Sequence, residues 1–279
     1  MSAHTLLLVD DDPAVHELLG AVLRPPDWRI DSAYDGLEGF ARVEAHAYDL
    51  VLTDVRMPGL DGLELLHRIR EIRPDAKVMV MTAESTPANI VRAIRDQAFC
   101  YFSKPFSPST VADMITQAVN THHWQDDIEV LSASPDWISL RLRCKMETAD
   151  RLMQFVREME MDFPREEREN IASAFRELLM NAIEHGGGSD PNKRVQVTYV
   201  RTTRAILYVI QDPGKGFSFD NIDHAAVANP PDEPVRHLEI RAEKGVRPGG
   251  FGILLTRNLV DELVYNEKGN EVLFIKYLK

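Results

Sequence analysis

Short apolar runs alternate with amphipathic helical stretches from residue 5 to about residue 121. The runs at 5–9, 28–33, 49–53, 77–81 and 99–102 have the length of strands. Leu6-Leu7-Leu8-Val9 and Val78-Met79-Val80-Met81 carry no polar alternation, which is the pattern of strands buried on both faces. Helical spacing near 13–24 and 36–45, and again after each later strand, gives βα repetition and predicts a doubly wound parallel sheet. Gly36, Gly59, Gly62, Pro74 and Pro105 mark the turns.

The periodicity fails over His122-His123-Trp124-Gln125-Asp126-Asp127 and resumes as strict alternation in Trp137-Ile138-Ser139-Leu140-Arg141-Leu142-Arg143. The chain therefore reads as domains at 1–121 and 136–279 joined by a linker at 122–135. Beyond the linker, helical spacing at about 147–161 and 166–185 precedes alternating strands at 194–200 and 204–211. Residues 217–248 are polar, rich in Pro and Asp and without clear period, as expected of a functional lid or a disordered segment. A helix near 252–261 and strands at 262–267 and 271–277, with Lys268-Gly269-Asn270 in the turn between them, complete an α+β pattern with a largely antiparallel sheet.

A length of 279 residues is enough for two independently cored domains. No apolar stretch approaches a membrane span, and Met1-Ser2-Ala3-His4 leads directly into a strand, so a cytoplasmic protein with no membrane partner is expected. The net charge of −12, with basic residues interspersed among acids, argues against direct nucleic-acid binding. Cys100 and Cys144 fall in different predicted domains and suggest neither a disulfide nor a metal site.

Chemistry concentrates where the predicted strands end. Asp54 closes the run Leu50-Val51-Leu52-Thr53, Asp10-Asp11-Asp12 follow Val9, Thr82 follows Met81, and Lys104-Pro105 follow Tyr101-Phe102-Ser103. The tips of parallel strands converge on one crevice, so these acids, the hydroxyl and the ammonium can meet there. Taken singly each acid could be a helix N-cap, and Asp12 is read as one.

Together, Asp10-Asp11, Asp54 with Val55 to Gly62, Thr82 and Lys104-Pro105 resemble the phosphoacceptor site of response-regulator receiver domains, over about residues 4–121. The resemblance implies a five-stranded, flavodoxin-like α/β domain in which Asp54 accepts a phosphoryl group from a sensor histidine kinase. It further implies that Asp10, Asp11, Asp54 and the backbone carbonyl of Arg56 hold Mg²⁺, while Thr82 and Lys104 contact the phosphoryl oxygens. Tyr101 stands where such domains carry an aromatic that swings inward when Thr82 moves. Carboxylate attack on phosphorus independently requires a hard cation with oxygen ligands.

In the second half, Glu177, Asn181 and His185 recur at steps of four, which advance a helix by about 400° each and so form one slowly drifting stripe. Asn is a poor helix former and asks for a reason. The predicted strand ending at Gln211 delivers Asp212-Pro213-Gly214-Lys215-Gly216, and Arg247-Pro248-Gly249-Gly250-Phe251-Gly252 opens the last predicted helix. Glycines before a helix N-terminus let amides approach phosphates, and an acid at a strand end can accept from an exocyclic amine.

These three boxes resemble the GHKL superfamily of ATPases over about residues 136–279. The helix text Glu177 to His185 and the run Gly252 to Tyr265 resemble its anti-sigma-factor serine kinases. The resemblance implies a Bergerat-type α+β sandwich that binds ATP with Mg²⁺: Asn181 on the metal, His185 at the nucleotide, Asp212 reading adenine, Gly214, Gly216, Gly249, Gly250 and Gly252 shaping the pocket, and Glu177 as general base. It implies a serine or threonine on an STAS-type antagonist protein as substrate, a sigma factor as further partner, and a homodimer. Arg151 lies near a phosphate-contacting arginine of that family, or is a solvated helix arginine. His122 and His123 lie in too short a linker to form a phosphoacceptor helix pair. Three readings stay open: a protein kinase controlled by Asp54, an ATP-dependent partner-binding module with little or no phosphotransfer and, ranked last, a degenerate nucleotide site serving as a dimerisation scaffold.

Overall fold

The computed structural model describes residues 3–24, 26–122, 124–161, 163–216 and 252–278. It divides into two compact units, one of Met1–Gln125 with Gln154–Met159 and the other of Asp126–Met153 with Glu160–Lys279. No helix among the described residues is long and apolar enough to cross a membrane.

The first unit is a doubly wound α/β layer. Strands β1 (His4–Val9), β2 (Trp28–Ala33), β3 (Leu50–Asp54), β4 (Val78–Thr82) and β5 (Cys100–Ser103) pair in parallel in the order β2-β1-β3-β4-β5. Residues of β3 and β4 are buried throughout, as their uninterrupted apolar text requires. Helices α1 (Pro13–Val22) and α5 (Pro108–Asn120) cover one face, where Leu19 and Ile115 join Leu6, Leu52 and Met81 in one core. Helices α2 (Gly36–Ala45), α3 (Gly62–Ile72) and α4 (Pro87–Arg95) complete the unit. Asp12, Asp35, Asp61 and Thr86 each accept a backbone N–H at the start of α1, α2, α3 and α4.

Trp124, expected in the linker, is 4% exposed in this core. Its ring meets Phe99 edge to face at 5.5 Å, and the Arg70 guanidinium lies 4.8 Å from its centroid. Trp124→Ala is expected to cost the unit about 3–5 kcal/mol, read as a lower midpoint in urea unfolding followed by near-UV circular dichroism.

The second unit stacks helices on an antiparallel sheet, the α+β arrangement its alternating strands predict. Strands β6 (Ile128–Ser134), β7 (Trp137–Arg143), β8 (Arg194–Arg201), β9 (Ala205–Gln211), β10 (Glu262–Tyr265) and β11 (Glu271–Tyr277) run in the order β10-β11-β9-β8-β7-β6. Strand β6 corrects the expected linker at 122–135: residues 128–134 pair with β7, and a bulge between Val130 and Ser132 breaks the alternation that would have revealed a strand. Val197, Tyr199, Ile206, Tyr208 and Phe274 face inward, where Tyr208 stacks on Phe274 at 4.9 Å and tilts against Phe175 at 5.0 Å. Helices α6 (Met146–Met159), α7 (Arg165–Asn181) and α8 (Gly252–Leu259) accompany the sheet. Helix α7 continues into a π turn at Ala182–Gly186 instead of running unbroken to 185.

Candidate functional site

At the carboxyl edge of the parallel sheet, Asp54 is the last residue of β3, Asp10 follows β1, Thr82 ends β4 and Lys104 follows β5. Helix α3 starts close by, because Gly62 donates its N–H to the Val55 carbonyl at 3.0 Å. A side chain at Gly62 would strike the Asp54 backbone carbonyl. One carboxylate oxygen each from Asp10, Asp11 and Asp54 lie within 4.8 Å of one another, with Asp10 and Asp54 buried and Asp11 exposed. Lys104 Nζ donates to Asp10 Oδ2 at 2.7 Å and stands 3.3 Å from Asp54 Oδ1. That Asp54 oxygen is buried and has no hydrogen bond.

Burial pushes the Asp54 carboxyl above its ordinary range; Lys104 pulls the other way and Asp10 adds to the rise. Burial alone would lower the Lys104 pKa, but the Asp10 hydrogen bond and the two carboxylate charges outweigh it and hold the ammonium protonated. Three acids against one ammonium leave the pocket short of positive charge. The buried, unbonded Asp54 oxygen and the all-oxygen donor set fit a hard divalent cation such as Mg²⁺.

Thr82 is fully buried, yet its hydroxyl is engaged away from Asp54: it donates to the Glu84 carbonyl at 3.1 Å and accepts from the Glu84 N–H at 3.2 Å. Tyr101, expected to swing inward on modification, is already fully buried, and burial pushes its phenol up to about 12. Two features escaped the sequence reading. Arg56 and Glu84, from the loops after β3 and β4, form an ion pair. His16 on α1 holds the Asp10 carbonyl through Nε2 at 2.8 Å and Ser32 Oγ through Nδ1 at 2.9 Å. A histidine one helical turn past an acid pair was the available signal.

In the second unit, Glu177 and Asn181 are both half-buried on α7, as their four-residue spacing predicts. His185 does not share their environment. The π turn inserts an extra residue into the helical period, and His185 is exposed. The same turn carries Gly186 against Asp212 so closely that a side chain at 186 would occupy the space of the Asp212 carboxyl. Asp212 Oδ1 accepts the Gly214 N–H at 2.7 Å. Burial raises the Asp212 carboxyl above its ordinary range, against the lowering effects of the Gly214 N–H and the Lys268 charge.

Gly216, at φ +76, packs against the Lys268 carbonyl in the β10–β11 turn. Asn270 in that turn binds both backbone groups of Asp212: its carbonyl accepts the Asp212 N–H at 2.9 Å, and its Nδ2 donates to the Asp212 carbonyl at 3.2 Å. Gly252 opens α8 directly against the Glu177 carboxylate, which so lies at a helix N-terminus, where the dipole favours an anion. Gly249, Gly250 and the whole of the expected lid at 217–248 lie outside the described residues.

Tyr265 was missed by the sequence reading. Burial pushes its phenol above the ordinary range, and the charges of Glu177 and Asp212 both add to the rise, which places the ring near both acids. Its only signal was the inward-facing position at the end of β10. Arg151 is 7% exposed, which removes the solvated alternative for it. Cys100 and Cys144 are buried free thiols.

Residues 6–116 match the family model described as response regulator receiver domain, and residues 142–276 match the model described as histidine kinase-like ATPase domain. The chain is 34% identical over 122 residues to the DNA-binding transcriptional regulator NtrC of Azospirillum brasilense, a match covering 44% of this chain and 25% of that protein. It is 33% identical over 103 residues to the probable transcriptional regulatory protein TcrX of Mycobacterium tuberculosis, covering 37% of this chain and 44% of that protein. The chain thus spans between a quarter and less than half of the length of these relatives. A solved CheY-like receiver domain protein from Methanospirillum hungatei JF-1 is 28% identical, with a TM-score of 0.41 over 43% of this chain and 95% of that one.

Proposed function

Because this chain joins a response regulator receiver domain to a histidine kinase-like ATPase domain, we propose that phosphorylation of Asp54 controls ATP-dependent protein phosphorylation by the second domain. In the first step an Asp54 carboxylate oxygen attacks the phosphorus of a phosphohistidine on a sensor kinase. The P–O bond forms as the P–N bond breaks, and the imidazole takes up a proton. Asp10, Asp11, Asp54 and the Arg56 carbonyl would hold Mg²⁺, which supplies charge neutralisation for both reacting groups. Lys104, already poised between Asp10 and Asp54, pairs with phosphoryl oxygens, and Thr82 donates to one once its hydroxyl leaves Glu84.

In the second domain, Asp212 accepts from the exocyclic amine of adenine, and Asn181 would hold the Mg²⁺ that accompanies ATP. Gly214, Gly216 and Gly252 shape the pocket, and His185 contributes to the nucleotide site. Glu177 takes the proton of a serine or threonine hydroxyl on an STAS-type antagonist protein, and that oxygen displaces ADP from the γ-phosphorus. This is partner switching of the anti-sigma type, in the cytoplasm, with a sigma factor as the competing partner. The observation that supports the reading is the placement of Glu177 on α7 beside Gly252 and of Gly186 in the following π turn beside Asp212.

The test is transfer of label from γ-labelled ATP to an STAS-type protein. Glu177→Gln is expected to lower transfer at least about 100-fold while Mg-ATP affinity by calorimetry changes less than about threefold. Undiminished transfer by that variant removes Glu177 as base. Binding without any transfer by the natural protein replaces the kinase with an ATP-dependent partner-binding module.

A further inference from the structure

Asp10 is fully buried, and each of its polar groups has a partner within the first unit. Its N–H donates to the Ala33 carbonyl at 3.1 Å, its Oδ1 accepts the Asp12 N–H at 2.9 Å, its Oδ2 accepts from Lys104 Nζ at 2.7 Å, and its carbonyl meets His16 Nε2 at 2.8 Å. A cation drawing on the carboxylate shares those two oxygens with Asp12 and Lys104. What holds residue 10 independently of any cation is therefore its backbone, through Ala33 and His16.

The imidazole is itself fixed from two sides. Its Nε2 carries the proton, since a carbonyl oxygen can only accept. Its Nδ1 pairs with Ser32 Oγ at 2.9 Å, and its ring tilts against that of Tyr34 with centroids 4.6 Å apart, so β2 and the turn after it set the plane of the ring. The Asp10 carbonyl and the Asp11 N–H belong to one planar peptide. Anchoring that oxygen sets the tilt of the plane, and with it the direction in which Asp11 leaves the backbone. The Asp11 side chain is exposed, so packing does not aim it. Its approach to within 4.8 Å of the Asp10 and Asp54 oxygens depends on that peptide.

We propose that His16 is a positioning residue of the first site: its hydrogen bond to the Asp10 carbonyl keeps the Asp10 and Asp11 carboxylates converged on a divalent cation. This rests on the reading of the acid cluster as the cation-holding part of a phosphoacceptor site. His16 touches neither the cation nor the phosphoryl group and acts through the peptide alone. Groups that orient metal ligands from behind typically carry about ten- to a hundredfold of metal affinity.

The test is calorimetric titration of the nucleotide-free full chain with Mg²⁺, together with the rate of labelling by acetyl phosphate across the same Mg²⁺ range. His16→Leu is expected to weaken Mg²⁺ binding about tenfold and to raise the Mg²⁺ concentration for half-maximal labelling by the same factor, while the rate at saturating Mg²⁺ stays within about threefold. His16→Gln, whose amide nitrogen falls near the place of Nε2, is expected to recover Mg²⁺ affinity to within about threefold of the natural chain. A histidine that only packs the fold would lower the melting temperature and leave the Mg²⁺ dependence alone. Unchanged Mg²⁺ affinity in His16→Leu overturns the proposal, as does a loss that His16→Gln shares in full, or a natural chain that binds no Mg²⁺. A natural chain that takes Mg²⁺ with this pattern of variants but accepts no label supports the role of His16 and refutes Asp54 as phosphoacceptor instead.

Discussion

Asp54→Asn is expected to reduce phosphoryl uptake from acetyl phosphate to background, at least about 100-fold below the natural protein. The amide keeps the volume and the strand-end position of the side chain but has no carboxylate oxygen to attack phosphorus. Phosphate-affinity gels with acetyl phosphate and Mg²⁺ give the readout, and label on Asp54→Asn equal to that on the natural protein would refute the assignment. A second measurement separates loss of chemistry from loss of fold. The substitution removes a charge that burial and Asp10 both disfavour, so melting in metal-free buffer is expected to be no lower than that of the natural chain. Mg²⁺ should raise the melting temperature of the natural chain and raise that of Asp54→Asn much less, since one of the three clustered carboxylates is gone.

Gly186→Val is the second large effect, and it reaches the proposed adenine end of the other site without touching Asp212 in sequence. A side chain at 186 would fall on the Asp212 carboxyl, so either that carboxyl or the π turn must yield. Overpacking of this kind costs about 1–3 kcal/mol of stability. Losing a charge-assisted hydrogen bond to the base costs about 1.5–3 kcal/mol, or roughly ten- to a hundredfold in Mg-ATP affinity. Calorimetry is expected to show that loss, with the variant still folded by its melting curve, and Asp212→Asn should match it. Unaltered Mg-ATP affinity in Gly186→Val would break the link between the turn and the acid proposed to read the base.

The first site was legible because its signal is redundant. Each apolar run of the parallel sheet ends in a residue of one chemistry, and a parallel topology can only gather those ends at one edge. Even there the text misplaced a boundary: the strand expected at 49–53 is found at Leu50–Asp54, so Asp54 belongs to the strand. The state of Thr82 and Tyr101 was not legible, because it depends on whether a hydroxyl bonds Glu84 or something else, and both options share one sequence.

The second site was legible as boxes and not as geometry. Glu177 and Asn181 follow the helical period, but nothing in Ala182 to Gly186 announces a π turn, so His185 was carried along a stripe it does not share. The contact of Gly186 with Asp212 joins residues 26 positions apart through the packing of a helix end on a strand end, which no local pattern encodes. Residues 128–134 were missed as a strand for a related reason, since a single bulged residue near Leu131 puts the two halves of β6 out of phase.

The grip of Thr82 on Glu84 ties chemistry to the rims of the pocket. The hydroxyl spans the Glu84 N–H and carbonyl, and the Glu84 carboxylate in turn grasps Arg56 across the opening. Under the proposed chemistry, turning that hydroxyl toward an incoming anion would give up both of its bonds to the Glu84 backbone, so one torsion would act as a latch on the loop that also carries the partner of Arg56.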